Sequence, residues 1–369
     1  MQTAILVSII AIILSYLARY KNFKYGLEAA ITVLTVFVAI RYEWGTDMPG
    51  YRFTFQEFSE AGLHAFDFNA ISQIRSGRSL EIGWAFLNVM CIPIGFFGMI
   101  ILLAVVENLI IYDFIKRNVD KDYYWLAVFI YTFNPNMMVL GCSMLRQWLA
   151  MCVILFATRF ISSGKWYYYV LLVALAASFH TSALLFGFLY LFRYVRNVKL
   201  DISSITWLGA ISLAWIVVGK VLSMEGIMML LSTDAFEGYN GQMNPGDGTG
   251  SGLGFGTFFK VLIYLYCIVQ TVNLDKDKRV LSWLLFAYVL LFPFTDAVSL
   301  ASRLNFYIDA IAIAVVPIAM KASKYKSVNV VMILLFIFWN LMMYRLFFSA
   351  SSYFWGYRTY HTIFETTWQ

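Results

Sequence analysis

Four positions place a basic or titratable side chain at the edge of an apolar stretch: Arg41, Arg146, His180 and Arg303. Arginine presents a planar fork of donors that grips carboxylate or phosphate oxygens in bidentate fashion, and it stays charged when half-buried. Taken singly, each arginine is accounted for by an ion pair or a snorkelling side chain: Arg41 with Glu43 or Asp47, Arg303 with Asp296. Taken as a set delivered to one depth, they point to an anionic ligand. A lone histidine at a helix end reads as a satisfied polar residue. In this company His180 becomes a candidate acid–base group. Carboxylates stand close by: Asp47 follows Arg41 in the pattern Arg41-x-x-x-Gly45-x-Asp47-x-x-x-Tyr51, and Glu81 comes later in the same connection. That pattern predicts a turn followed by an amphipathic helix, with Phe53, Phe55 and Phe58 as its apolar contacts.

Other chemistries lack their residues. The chain has three histidines, His64, His180 and His361, and no H-E-x-x-H, so no metal site is expected. G-x-S-x-G, G-x-G-x-x-G and the P-loop pattern are missing as well, and no bound cofactor is implied. The four cysteines lie in apolar stretches without a C-x-x-C pair and read as buried spectators.

The elements that must position these residues follow from composition. Of 369 residues, 61% are hydrophobic and 13% charged, and the mean hydropathy is +0.72. A soluble domain carries about 25% charge, so lipid is the solvent for most of this chain. Apolar runs such as 9–14 and 330–339 are continuous rather than alternating, which selects helices over a barrel. The expected fold is therefore all-α: a single polytopic transmembrane domain of about twelve helices. The spans are 3–18, 26–41, 95–115, 123–140, 145–161, 166–180, 181–194, 204–222, 257–272, 280–295, 303–320 and 328–348. The stretch 82–93 reads as a half-inserted or interfacial helix, broken from the next by Pro93 and Gly95. Basic residues follow the first apolar segment instead of preceding it, so that segment is expected to be retained as a helix.

The net charge of +6 reports orientation rather than nucleic-acid binding. With the first connection placed in the cytoplasm, six short loops on that side collect 17 of the 27 Lys and Arg residues. Both termini then lie outside, as do two long loops, about 41–81 and 223–256. The glycine-rich run 238–256 is accounted for as a flexible loop, with a lid over a substrate as the sharper option. Arg41, Arg146, His180 and Arg303 all fall at the outer ends of their helices. Glu107 and Asp309 are the main charges at mid-helix positions.

On these residues the sequence resembles the EpsG family of Wzy-like bacterial polysaccharide polymerases. Three blocks carry the likeness: Arg41–Phe58 with Glu81-Ile-Gly-Trp84; Leu145-Arg146-Gln147 leading to Phe179-His180-Thr-Ser182; and Ser302-Arg303 with Tyr307. The tail 349–369 matches nothing in the family pattern. The resemblance implies a GT-C-like or Wzy-like membrane glycosyltransferase. Such an enzyme joins oligosaccharide repeat units carried on undecaprenyl pyrophosphate at the outer face of the bacterial cytoplasmic membrane, making O-antigen, capsule or exopolysaccharide. Its donor and acceptor would be lipid-linked glycans, with a chain-length regulator as a further partner. Arg146 and Arg303 would clamp the pyrophosphate. Arg41 would join the clamp or order its loop. Asp47, Glu81 or His180 would serve as general base, and Tyr51, Gln147, Ser182 and Tyr307 would bind phosphate or sugar. A lipid-linked oligosaccharide flippase and a membrane O-acyltransferase are the competing readings. The first wants ionisable residues along a transmembrane path, and the second leaves the arginines without a task.

Overall fold

The computed structural model describes residues 1–62, 69, 71–72, 80–201, 203–215, 255–297 and 299–365. The second long loop, up to residue 254, lies outside these, as does His64. The chain forms two compact units: Met1–Tyr190 together with Asn340–Gln369, and Leu191–Trp339. Both are built from helices. Four helical stretches among the described residues are long and apolar enough to cross a bilayer: Lys21–Ala39, Ile82–Asn118, Leu145–Ser163 and Lys326–Ser349. Shorter apolar helices accompany them at Gln2–Leu17, Trp166–Phe179, Phe259–Thr271 and Ala312–Ala322. The protein is an all-α membrane protein.

In the first unit, α1 (Gln2–Leu17) packs on α2 (Gly26–Ala39). The buried face of α1 is a stripe of small residues, Ala4, Ser8, Ala11 and Ser15, while Leu6, Ile9 and Ile13 point outward. That inversion is expected where lipid surrounds a helix and close backbone approach drives association. A two-residue strand, β1 (Arg41–Tyr42), follows α2. Then comes α3 (Met48–Glu60), which buries Met48, Thr54, Phe55 and Phe58 along one stripe. This is the amphipathic helix expected from the sequence, except that Phe53 is exposed. The next helices are α4 (Ile82–Cys91) and α5 (Gly95–Asn118), with a turn at Ile92–Ile94 between them. The break falls at Pro93, as expected.

The apolar run 123–140 is not one helix. Helix α6 (Tyr124–Phe133) stops at Asn134. Pro135 drives the residue before it out of the helical region, and Asn134 is extended, its side chain accepting a bond from the Asn136 amide at 3.1 Å. One further turn, Met138–Gly141, leads to α7 (Leu145–Ala157). Helix α8 (Trp166–Phe179) follows. The segment after it, Thr181–Asn197, is a 3₁₀ helix rather than an α-helix, and nothing in its residue pattern accounts for that choice. Among the aromatic residues that open α8, Trp166, Tyr167 and Tyr168 are exposed, whereas Tyr169 is buried and donates to the Phe186 carbonyl at 2.7 Å. All four cysteines are free and buried.

The second unit contains α9 (Phe255–Thr271), α10 (Lys276–Ala297), α11 (Ser299–Asp309), α12 (Ala312–Ala322) and the first part of α13 (Lys326–Ser349). The single span expected over 303–320 is interrupted after Asp309, where the carboxylate is engaged elsewhere. Lys260 Nζ lies 2.7 Å from Asp309 Oδ1, and both side chains are almost completely buried. The Tyr264 hydroxyl donates to the same carboxylate. Tyr288 and Trp339 close over the ammonium at 4.7 and 5.2 Å from their ring centroids. Lys260 is therefore a buried charge like Glu107 and Asp309, a lone lysine in an apolar run. Arg279 is likewise inside the unit: it donates to the carbonyls of Val272, Leu274 and Arg196 and closes the α9–α10 turn.

Removing one member of a buried pair leaves the other charge uncompensated, at a cost of about 3–5 kcal/mol. Lys260→Met is therefore expected to lower the thermal midpoint of the detergent-solubilised protein sharply. Combining it with Asp309→Leu should restore most of the loss. Equal midpoints for Lys260→Met and the native protein would show that the pair contributes nothing.

Candidate functional site

The site begins at the start of α7. The first amides of a helix have no intrahelical acceptor, and the helix dipole makes that end positive. Arg146 is the second residue of α7, so its guanidinium adds a full charge where backbone donors already converge. Two groups come to meet it, and a third is joined through the first. Arg146 Nη1 donates to Glu81 Oε2 at 2.6 Å. The Tyr51 hydroxyl, brought in by α3, accepts from Arg146. Glu81 Oε1 accepts from the Thr181 amide at 3.2 Å, which draws in the end of α8. His180, next to that amide, shares a hydrogen bond with Ser182 through Nδ1 and Oγ at 2.7 Å. Asp47 is exposed, just ahead of α3, with its charge in range of Tyr51. Burial pushes the Tyr51 phenol up, and Arg146 opposes that shift. Tyr51 is held in place by the edge of Trp84, with ring centroids 5.4 Å apart. Below them Met48, Phe55, Trp84, Leu145 and Leu149 form one apolar core.

Arg146 keeps a quarter of its side chain exposed, and its Nε, which is buried, has no hydrogen-bond partner. A guanidinium offers five donors. This one therefore retains capacity for an anion beyond the carboxylate it already holds. The place is chemically an anion site at a helix N-terminus, with Glu81 as its resident anion.

The other sequence-identified residues lie elsewhere. Arg41 is 2% exposed and sits inside the first unit. It pairs with neither Glu43 nor Asp47. Its Nη1 donates to the Val38 carbonyl, and its charge acts on buried Glu107. Glu43 is taken by Arg52 at 2.8 Å. Gln147 is also buried, one position round α7 from Arg146. Tyr307 and Arg303 belong to the second unit, on α11. Tyr307 is buried there, and the side chain of Arg303 and the whole side chain of its suggested partner Asp296 lie outside the described residues. Among the described residues, no group of three or more His, Cys, Asp or Glu side chains is arranged to hold a metal.

The tail, which matches no expected motif, also reaches this region. Strand β2 (His361–Thr362) pairs antiparallel with β1, Arg41 opposite Thr362 and Tyr42 opposite His361. The Ile363 amide donates to the Ile40 carbonyl and the Gly45 amide to the Gly356 carbonyl, both at 2.9 Å. Tyr360 stacks on Phe37 with centroids 4.5 Å apart, and Tyr357 meets the edge of Trp44 and donates to the Val139 carbonyl at 2.8 Å. On its other side the loop is fixed by the chain before α7. Thr46 Oγ1 lies 2.5 Å from Ser143 Oγ, which also accepts from the Asp47 amide at 3.1 Å. Gly45 has φ +140°, and a side chain there would strike the Cys142 carbonyl. The connection carrying Asp47 and Tyr51 is thus clamped between the tail and the residues leading into Arg146. A two-residue strand pair is too short for hydrophobic periodicity to reveal. The aromatic and glycine content of 353–360 was the only signal available.

In this membrane protein, arginine, glutamate and tyrosine thus gather at the start of one helix, with histidine in the neighbouring turn. The EpsG family model matches residues 24–359. The chain belongs to the EpsG family, a family of Wzy-like polysaccharide polymerases. Among curated proteins and solved structures, none matches. The family match includes the tail up to residue 359, so Gly356 and Tyr357 fall within it.

A Cβ added at Gly356 would lie 2.8 Å from the Thr46 Cα and amide nitrogen, whereas one at Gly50, in α3, would meet nothing within 4 Å. Overpacking of this kind costs about 1–3 kcal/mol. Gly356→Ala is expected to lower the unfolding midpoint in detergent. Gly50→Ala should leave it unchanged or raise it, since alanine is the better helix former by about 0.5–1 kcal/mol.

Proposed function

We propose that this protein polymerises oligosaccharide repeat units carried on undecaprenyl pyrophosphate, at the outer face of the bacterial cytoplasmic membrane. It works within a bundle of about twelve spans whose termini both lie outside. The observation that carries the reading is Arg146 at the start of α7, tethered by Glu81 and Tyr51. Family membership supplies the reaction class, and the arginine supplies a place for the leaving group.

In the reaction, a hydroxyl of the acceptor glycan attacks the anomeric carbon of the donor. The new glycosidic bond forms as the bond to the pyrophosphate oxygen breaks, and the hydroxyl proton passes to a base. Negative charge grows on the departing diphosphate. A donor aimed at that charge is typically worth a few kcal/mol. Arg146 is the principal clamp in this scheme. A diphosphate arriving at Arg146 competes with Glu81 for the same donors, and the carboxylate it displaces is a base beside the reacting centre. His180, hydrogen-bonded to Ser182 and next to the amide that holds Glu81, is the second candidate base. Asp47 is the third. The burial of Arg41 supports its loop-ordering role over a place in the clamp.

The test replaces Arg146 with Lys and with Ala in cells that lack the native copy, with polymer length read on gels. Loss of one such donor corresponds to about 10²–10³ in rate. Lysine does not reproduce the bidentate fork, so both variants are expected to leave single repeat units on the lipid carrier. Normal polymer lengths with either variant would remove Arg146 from the clamp.

A further inference from the structure

A cavity of about 400 Å³ opens in the first unit at the end of α2 opposite Arg41. Lys21, Lys24, Lys116 and Lys121 line it, together with Tyr20 and Tyr124. These side chains come from three places: the α1–α2 connection, the end of α5, and the turn into α6. Lys116 is paired with Glu28 at 2.8 Å. Lys21, Lys24 and Lys121 have no carboxylate within ion-pair distance among the described residues. The preference for basic residues in cytoplasmic loops explains why lysines occur in these connections. It does not explain why four of them converge on one concavity, where their mutual repulsion has to be offset.

The surroundings identify what offsets it. Tyr20, which lines the cavity, is exposed, and so are Tyr16, Phe23 and Tyr25, its neighbours along the chain. Arg19 lies over the rings of Tyr16 and Tyr20, at 4.9 and 5.8 Å, and Lys24 over Tyr25 at 4.8 Å. Exposed aromatic rings beside basic side chains mark the headgroup layer of a bilayer. Leu6, Ile9 and Ile13 of α1 continue outward from this level as a lipid-facing surface. Compact ammonium charges suit phosphate as point-charge partners, and basic pockets between membrane helices are places where anionic headgroups dock.

We propose that this cavity is a binding site for a phosphate-bearing anion, supplied by the headgroup of an anionic phospholipid. The site is separate from the Arg146 corner, and its occupancy does not depend on the glycosyl-transfer reading.

The test uses the full-length protein in nanodiscs of phosphatidylcholine, with and without phosphatidylglycerol, and counts retained lipids by native mass spectrometry. The native protein is expected to retain phosphatidylglycerol selectively. Each neutralised lysine should weaken retention about fivefold. The triple variant Lys21→Gln, Lys24→Gln, Lys121→Gln should lose it, and the corresponding triple Arg variant should keep it. Cysteine-accessibility mapping of both variants confirms that the first two helices are inserted as in the native protein. Equal retention by the native and triple-Gln proteins would overturn the proposal. Inorganic pyrophosphate is added in a separate arm. If it binds in discs of phosphatidylcholine alone and displaces phosphatidylglycerol from mixed discs, a soluble phosphate, not a lipid, is the occupant and the lipid proposal fails.

Discussion

A charge or backbone donor placed near hydrocarbon has to be answered by something, because water is not at hand to do it. That constraint acts most strongly at the start of α7, where an uncapped helix end and the Arg146 guanidinium coincide. Glu81, the Tyr51 hydroxyl and the amide-linked turn at Thr181 meet the demand. In doing so they bind together α3, α4, α7 and the end of α8. The same bonds that hold these elements in register leave part of the guanidinium reachable and its Nε unmet. Structure and chemistry here draw on one set of donors.

Buried charge elsewhere is handled differently. Lys260 and Asp309 are sealed from solvent by Tyr264, Tyr288 and Trp339, so their pairing fixes helices without offering anything to a ligand. Arg279 spends its donors on three carbonyls. Arg41 lies in the interior with Glu107. Of these basic groups, Arg146 combines ion pairing with exposure, which leaves it accessible to an anion.

The sequence was informative where the physics is local or compositional. Continuous apolar runs declared helices in lipid, Pro93 marked the break before α5, and the spacing of Phe55 and Phe58 announced α3. The gathering of Tyr51, Glu81, Arg146 and His180 was legible as a set of residue types at helix ends and as a family likeness. Other features were hidden because they depend on partners far along the chain. The Asn134–Pro135 break turns on one dipeptide inside an otherwise unbroken apolar run. The burial of Arg41 involves a strand supplied by residues 361–362, and its charge acts on Glu107, far along the chain. Lys260 is a single charge in an apolar helix, and its identity as half of a pair appears only when Asp309, 49 positions later in the numbering, is brought against it.

The pairing of β1 with β2 also bears on how the protein is made. Some 320 residues separate Tyr42 from Ile363. At the usual pace of translation, about 5–20 residues per second, the connection holding Asp47 waits roughly a quarter of a minute to a minute for its clasp. During that interval the edge of β1 has unmet backbone groups and Trp44 lacks Tyr357. The connection that carries Asp47 therefore gains its last backbone partners only once residues 361–363 have been made, after the helices on either side of it are already in place.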